Sequence, residues 1–129
     1  MADSILVIED SATFRALLTA TLRRKGYQVV VADTGLAGMQ IARNRAPSLI
    51  SLDLSLPDVS GVDLLSALKA DLITRQIPVI VCTASVDGGL KDEVLRRGAA
   101  EVLTKPLQSA DLFAAMNRHL HSDTSRASE

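Results

Sequence analysis

The sequence predicts an α/β domain in which helices cover both faces of a parallel five-stranded sheet. Five short apolar runs, typical of strands, alternate with five segments whose apolar residues recur at helical spacing. The runs that lead to Asp53 and Thr83 are apolar on both faces, as expected of buried parallel strands. The short connections indicate βαβ units, and 129 residues correspond to one domain.

Capping and stop signals place the boundaries of these elements. Ser11 and Asp87 are the predicted N-caps of the first and fourth helices, and Gly26 and Gly98 follow the last turns of the same helices. The predicted strands cover residues 5–8, 27–32, 49–53, 79–83 and 101–104. The predicted helices cover residues 12–25, 35–46, 62–68, 88 to about 97, and 110 to about 121.

The composition is that of a folded protein with an aliphatic core. Hydrophobic residues make up 47% of the chain and the net charge is −1, which argues against disorder and against a nucleic-acid-binding surface. We expect apolar stripes that include Leu17 in the first helix and Leu36 in the second helix to face the core. The single cysteine, Cys82, is predicted to be a small core residue, and the absence of a signal peptide or membrane span predicts a cytoplasmic protein.

Chemically active residues follow four of the five predicted strands. Glu9 and Asp10 follow the first strand, Asp53 ends the third, Thr83 ends the fourth, and Lys105 follows the fifth. Because parallel strands end at the same edge of a sheet, we expect these side chains to meet there. Clustered carboxylates repel one another and favour a cation, either the lysine or a hard divalent ion such as Mg²⁺. A hydroxyl and an ammonium opposite them suit a phosphoryl group, with Asp53 as the nucleophile.

These motifs together resemble the receiver domain of two-component response regulators. The matching features are the acidic pair Glu9-Asp10, the Asp53-x3-Pro57-x3-Gly61 pattern, Thr83-Ala84 and Lys105-Pro106, and the resemblance covers about residues 4–121. The resemblance implies a flavodoxin-like (βα)5 three-layer sandwich with strand order 2-1-3-4-5. It also implies that the chain is a signalling switch rather than an enzyme in the usual sense.

The resemblance assigns a role to each residue of the site. Asp53 would accept a phosphoryl group from the phosphohistidine of a histidine kinase or phosphotransfer protein, or from a small phosphodonor. Thr83 and Lys105 would hold the phosphoryl oxygens, and the Lys105–Pro106 bond would be cis. The implied ligands of Mg²⁺, or of Mn²⁺ in its place, are the side chains of Glu9, Asp10 and Asp53 and the backbone carbonyl of Ser55.

One position departs from the usual pattern of the family. Many receivers carry an aromatic residue three positions before the lysine, and its ring moves inward on phosphorylation; here that residue is Val102. A valine side chain has little reach. We therefore predict that switching relies mainly on the loop from Thr83 to Asp87 and is modest in amplitude. Leu107 stands where many relatives have Phe, which changes packing rather than chemistry.

Three other functions compete with a phosphorylated switch. A Mg²⁺-dependent phosphohydrolase of the haloacid dehalogenase type also forms an aspartyl phosphate, but it needs a second acid where this chain has Ser55. A flavodoxin-like FMN carrier needs a phosphate-binding loop where Glu9 and Asp10 would repel a phosphate. A degenerate receiver would keep the fold and act as a constitutive binding module.

The predicted organisation is a receiver domain over residues 1–121 and a polar tail or start of a linker over 122–129. The position of Met1 close to the first strand favours an N-terminal or free-standing domain, although a fragment of a larger regulator or hybrid kinase stays open. Expected partners are a kinase or phosphotransfer protein and a downstream protein or tethered output domain, with no direct contact to nucleic acid or membrane.

The resemblance also predicts a phosphorylation-dependent homodimer through the face formed by the fourth helix, fifth strand and fifth helix. His119 and His121 are predicted to lie at the surface. The residues expected on the dimer face are Lys91, Glu93, Val94, Arg97, Glu101 and Arg118.

Overall fold

The computed structural model describes residues 3–84 and 87–128, with side chains described as far as Leu120. Strands and helices alternate along the whole described chain. The strands are β1 (Ser4–Ile8), β2 (Gln28–Ala32), β3 (Leu49–Leu52), β4 (Val79–Thr83) and β5 (Glu101–Thr104). The helices are α1 (Ala12–Arg24), α2 (Gly35–Arg45), α3 (Gly61–Ala70), α4 (Gly88–Arg96) and α5 (Ser109–Ser128).

The strands form one sheet in the order β2-β1-β3-β4-β5, and every pairing is parallel. The prediction of a flavodoxin-like fold with this order is confirmed. Ile8 lies opposite Leu52, and Thr83 lies opposite Thr104, so the carboxyl ends of the strands lie at one edge. The register of the sheet therefore brings the residues that follow these strand ends to the same edge.

Two aliphatic cores lie on opposite faces of the sheet. Alternate residues of β1 point to opposite sides: Leu6 and Ile8 enter the cluster under α2, α3 and α4, whereas Ile5 and Val7 enter the cluster under α1 and α5. Cys82 packs in the second cluster and is 1% exposed, which confirms its prediction as a core residue.

The predicted caps are confirmed. The Ser11 side chain accepts a hydrogen bond from the Phe14 amide at 3.3 Å, and Asp87 accepts one from the Leu90 amide at 2.7 Å. Gly26 has a positive φ of 100° after α1, a conformation that L side chains rarely adopt. Residues within a few positions of these helix ends therefore account for the boundaries.

Three expectations about the helices were wrong. Leu17 and Leu36, expected to face the core, are 62% and 66% exposed, because each helix packs on the sheet through a narrower stripe than its apolar periodicity suggests. The last helix continues to Ser128 instead of ending near residue 121.

None of the helices in the described part of the chain has both the length and the apolar character that crossing a membrane requires.

Candidate functional site

Two acids occupy the carboxyl edge of the sheet at the ends of neighbouring strands. The Glu9 amide donates to the carbonyl of Ala32 at 2.9 Å, and the Asp53 amide donates to the carbonyl of Ile8 at 3.0 Å. These bonds continue the sheet pairing past the ends of β1 and β3, and they hold both acids beside each other. The side chains of Glu9 and Asp53 are only 3% and 6% exposed.

Lys105 reaches both carboxylates from the loop after β5. Its Nζ lies 2.8 Å from Oε1 of Glu9 and 3.6 Å from Oδ2 of Asp53, and its side chain is 16% exposed. The Lys105 amide donates to the carbonyl of Thr83 at 2.9 Å, and the peptide bond to Pro106 is cis, as the resemblance implied. The backbone next to β4 therefore fixes the point from which the ammonium reaches the acids.

The charges at this edge do not cancel. Burial raises the pKa of Glu9, and the neighbouring carboxylate of Asp53 raises it further, while hydrogen bonds from Lys105 and the Ser11 amide lower it. Two carboxylates and one ammonium carry a net charge of −1 when all are ionised. A cation that joined Glu9 and Asp53 would relieve their repulsion.

The other three predicted site residues differ in burial and in their contacts with this pair. Thr83 is buried at 4% exposure at the end of β4. The Ser55 amide donates to Oδ1 of Asp53 at 3.3 Å, so the chain after Asp53 turns back toward the carboxylate. Asp10 is exposed. The structure thus brings Glu9, Asp53 and Lys105 into direct contact and leaves the Asp10 side chain at the solvent side.

The donor set fits a hard divalent ion. Within the described residues, no three carboxylate, imidazole or thiol side chains are placed to hold a metal by themselves, and Glu9 and Asp53 are the two acids that lie together at this edge. Mg²⁺ takes one or two carboxylates and completes its coordination with other oxygens and water. The two buried carboxylates and the nearby backbone of Ser55 match that requirement, and Mn²⁺ shares the preference for oxygen.

Gly61 is required by a close backbone approach rather than by an unusual dihedral angle. Its φ does not lie in the positive range that favours glycine. A methyl group at this position would lie 2.8 Å from the carbonyl oxygen of Leu54 and 2.9 Å from that of Asp53. The start of α3 therefore packs directly against the chain that follows the candidate nucleophile.

Three residues at the site were missed by the sequence analysis. The ring centroid of Phe14 lies 4.2 Å from Nζ of Lys105, a cation–π contact. Arg15 donates from Nη1 to the carbonyl of Glu9 at 2.9 Å. Asp58 accepts from two amides at the start of α2. No periodicity or spacing rule links these residues to the site, because all three contacts depend on packing between elements.

The face formed by α4, β5 and α5 differs from the expectation in two residues. Val94, predicted to lie on that face, is 0% exposed because it packs into the core beneath α4. His119, predicted at the surface, is half-buried with Nε2 3.1 Å from Oε2 of Glu101. Glu101 also accepts from Arg118 at 2.6 Å. The side chain of His121 lies outside the described residues.

Comparison with known proteins agrees with this geometry. Residues 5–117 match the family model described as the response regulator receiver domain. The chain is 35% identical over 123 residues to the transcriptional regulatory protein KdpE of Mycobacterium tuberculosis, which covers 95% of this chain and 53% of KdpE. It is 32% identical to the polar-differentiation response regulator DivK of Brucella ovis, over 93% of this chain and 98% of DivK. This chain therefore spans about half the length of KdpE.

One of the solved structures that this chain resembles is the receiver domain of a histidine kinase. The receiver domain of sensor histidine kinase PA1611 from Pseudomonas aeruginosa superposes with a TM-score of 0.86 at 26% identity, covering 94% of this chain and 99% of that one. That receiver domain contains a magnesium ion coordinated in its active-site cleft.

Proposed function

The chain belongs to the response regulator receiver domain family, and from this membership we propose that it is a signalling switch phosphorylated on Asp53. The donor would be the phosphohistidine of a histidine kinase or phosphotransfer protein. The observation that carries the proposal is the buried contact of Lys105 with both Glu9 and Asp53 at the carboxyl edge of the sheet. This arrangement supplies a nucleophile, a positive charge for phosphoryl oxygens and a site for a divalent ion.

Phosphoryl transfer exchanges one bond to phosphorus for another. A carboxylate oxygen of Asp53 attacks phosphorus, the bond from phosphorus to the imidazole nitrogen of the donor breaks, and the imidazole leaves with its electron pair and takes up a proton. Lys105 lies where its ammonium can pass from the Asp53 carboxylate to the phosphoryl oxygens. The Ser55 amide, 3.3 Å from Oδ1, orients the carboxylate for this attack.

A divalent ion would be held by Glu9 and Asp53, with Asp10 and the Ser55 carbonyl as its further proposed ligands. Receiver domains bind Mg²⁺ in this cleft, and the PA1611 receiver contains it there. When bound, the ion neutralises negative charge on the phosphoryl oxygens. The chain itself contributes a buried pair of carboxylates whose repulsion favours binding of the ion.

Thr83 and the loop that follows it would transmit the phosphorylated state. A hydroxyl at the end of β4 can donate to a phosphoryl oxygen, and its movement would shift the chain toward Asp87. Residues 85–86 of this loop lie outside the described residues, so the proposed switch rests on Thr83, on Asp87 and on Val102. Val102 is half-buried against the core. Because its side chain is short, the loop from Thr83 to Asp87 would carry most of the conformational change on phosphorylation.

Phosphorylation would be read by a downstream protein or a tethered output domain. The chain spans about half of KdpE, which is a transcriptional regulatory protein, and nearly all of DivK, which is a polar-differentiation response regulator. On the face formed by α4, β5 and α5, where we propose a dimer, Arg97 contacts Glu93 and Arg118 contacts Glu101, so these charges are paired within one chain. Size-exclusion chromatography with and without a phosphoryl mimic tests the proposed dimer. A protein that elutes as a monomer in both conditions would reject the dimer.

Intact mass spectrometry after incubation with acetyl phosphate and Mg²⁺ tests the proposed function. We expect a gain of one phosphoryl mass that disappears in Asp53→Asn and in the presence of a chelator. The same gain should appear with Mn²⁺. If the folded wild-type protein gains no mass, the chain is a degenerate receiver that signals by binding alone. Steady turnover of a generic phosphate ester would instead favour the phosphohydrolase.

A further inference from the structure

Asp58 connects two segments that are distant in sequence. Its Oδ1 accepts from the Gly35 amide at 2.8 Å, and its Oδ2 accepts from the Leu36 amide at 2.9 Å. Both amides belong to the first turn of α2, where backbone donors lack partners within the helix. These two hydrogen bonds hold the pKa of Asp58 below its ordinary value. One carboxylate thus joins the loop after β3 to the start of α2.

The same loop is fixed at its other side by α3. The Gly61 amide donates to the carbonyl of Leu54 at 3.1 Å, and Ser55 pairs with Ser60 in an isolated antiparallel bridge. A side chain at Gly35 would overlap Val59, so the loop also lies in van der Waals contact with α2. The segment that begins directly after Asp53 is therefore held between two helices, and only Asp58 supplies charged hydrogen bonds on the α2 side among the described contacts.

Helix capping alone does not account for this arrangement. The start of α2 already has a local N-cap, since Oγ1 of Thr34 accepts from the Ala37 amide at 3.1 Å. Asp58 binds the two preceding amides from a loop more than twenty residues further along the chain. Thr34 and Asp58 therefore bind the same helix end, but only Asp58 also restrains the loop beside the site.

We propose that Asp58 is a positioning residue for the phosphorylation site, which keeps the loop 54–60 in place so that the backbone of Ser55 stays beside Asp53. The inference rests on the proposed function in that Ser55 supplies a ligand of the divalent ion. Residues that orient metal ligands typically change metal affinity by about 10- to 100-fold when they are removed. Loss of Asp58 should accordingly weaken Mg²⁺ binding while leaving every side-chain ligand unchanged.

The experiment compares Asp58→Ala and Asp58→Asn with Thr34→Ala as the matched control. All three variants remove hydrogen bonds to the start of α2, but only the Asp58 variants release the loop. Two-dimensional NMR of the labelled proteins gives the Mg²⁺ dissociation constant by titration. It also gives the exchange rate of the Gly61 amide in metal-free protein. Asp58→Asn keeps one acceptor oxygen, and it serves as the informative variant if Asp58→Ala does not fold.

We expect Mg²⁺ affinity to fall about tenfold in Asp58→Ala and by a smaller factor in Asp58→Asn, with less than a twofold change in Thr34→Ala. Exchange of the Gly61 amide should accelerate by about tenfold in Asp58→Ala and stay unchanged in Thr34→Ala. The proposal would be overturned if both Asp58 variants kept the wild-type affinity for Mg²⁺ and the wild-type exchange rate of the Gly61 amide. It would also be overturned if Thr34→Ala changed both quantities as much as the Asp58 variants do. The exchange measurement needs neither metal nor phosphoryl donor, so failure of phosphorylation in the wild type would reject the proposed function independently.

Discussion

Replacing Asp53 with asparagine should raise the free energy of unfolding of the metal-free protein by about 1–2 kcal/mol. The substitution removes one of two buried carboxylates and preserves the size of the side chain. Glu9 keeps its contact with Lys105 at 2.8 Å, so the ammonium does not lose its closer partner. The increase is expected because the native site contains more negative than positive charge.

The magnitude follows from three opposing contributions. Lys105 lies 3.6 Å from Asp53, which corresponds to an attraction of about 4–5 kcal/mol at an effective dielectric constant of about 20. The neighbouring carboxylates of Glu9 and Asp53 repel each other, and repulsion between two charges at about 4 Å is about 4 kcal/mol. These contributions nearly cancel. What remains is the cost of burying the Asp53 carboxylate, which the neutral amide avoids.

Mg²⁺ should reverse the order of stability of the wild type and Asp53→Asn. An ion present at one hundred times its dissociation constant adds about 2.7 kcal/mol to the protein that binds it, and Asp53→Asn has lost one ligand. Wild type should therefore become the more stable protein in saturating Mg²⁺. Urea unfolding followed by circular dichroism, with chelator and with Mg²⁺, measures both differences. The metal-free gain corresponds to a rise in melting temperature of about 3–8 °C.

Asp92→Asn is the control, because Asp92 is an exposed acid on α4. It should change stability by less than about 0.5 kcal/mol in either condition. An equal effect of Asp53→Asn with and without Mg²⁺ would show that Asp53 does not share a site with the ion. A loss of stability in the metal-free protein would show that attraction to Lys105 exceeds the other two contributions.

Three further outcomes are expected. The Cys82 thiol is 1% exposed, and burial raises its pKa to about 11. It should resist a thiol reagent in the native protein and react once denaturant is added. Rapid labelling of the native protein would contradict the described core. Gly61→Ala should destabilise the fold by at least about 2 kcal/mol in urea unfolding, since the methyl group meets the Leu54 backbone, and a neutral result would show that the loop can yield. The Arg118 guanidinium lowers the pKa of Glu101 below its ordinary value of 4.5, so this pair stabilises the fold above pH 4.5 and loses that contribution as pH falls through the lowered pKa. Glu101→Gln should therefore reduce the fall in melting temperature at acidic pH. An unchanged fall would exclude the pair as its cause.

The sequence alone determined the order of the elements and the residues that end the strands. Apolar periodicity and local caps depend on neighbours within a few positions, so the alternation of five strands and five helices was readable without tertiary information. Glu9, Asp53 and Lys105 were found for the same reason, because the ends of parallel strands share one edge. The family resemblance added the strand order, which periodicity does not specify.

Only the tertiary structure decided which charged groups touch. Asp10 and Glu9 are adjacent in sequence, yet one is exposed and the other is held against Lys105, because the direction of a side chain depends on the packing around it. The exposure of Leu17 and the burial of Val94 also depend on which residues of each helix pack onto the sheet. Asp58 contacts α2 across more than twenty residues, a distance in sequence that no local pattern covers.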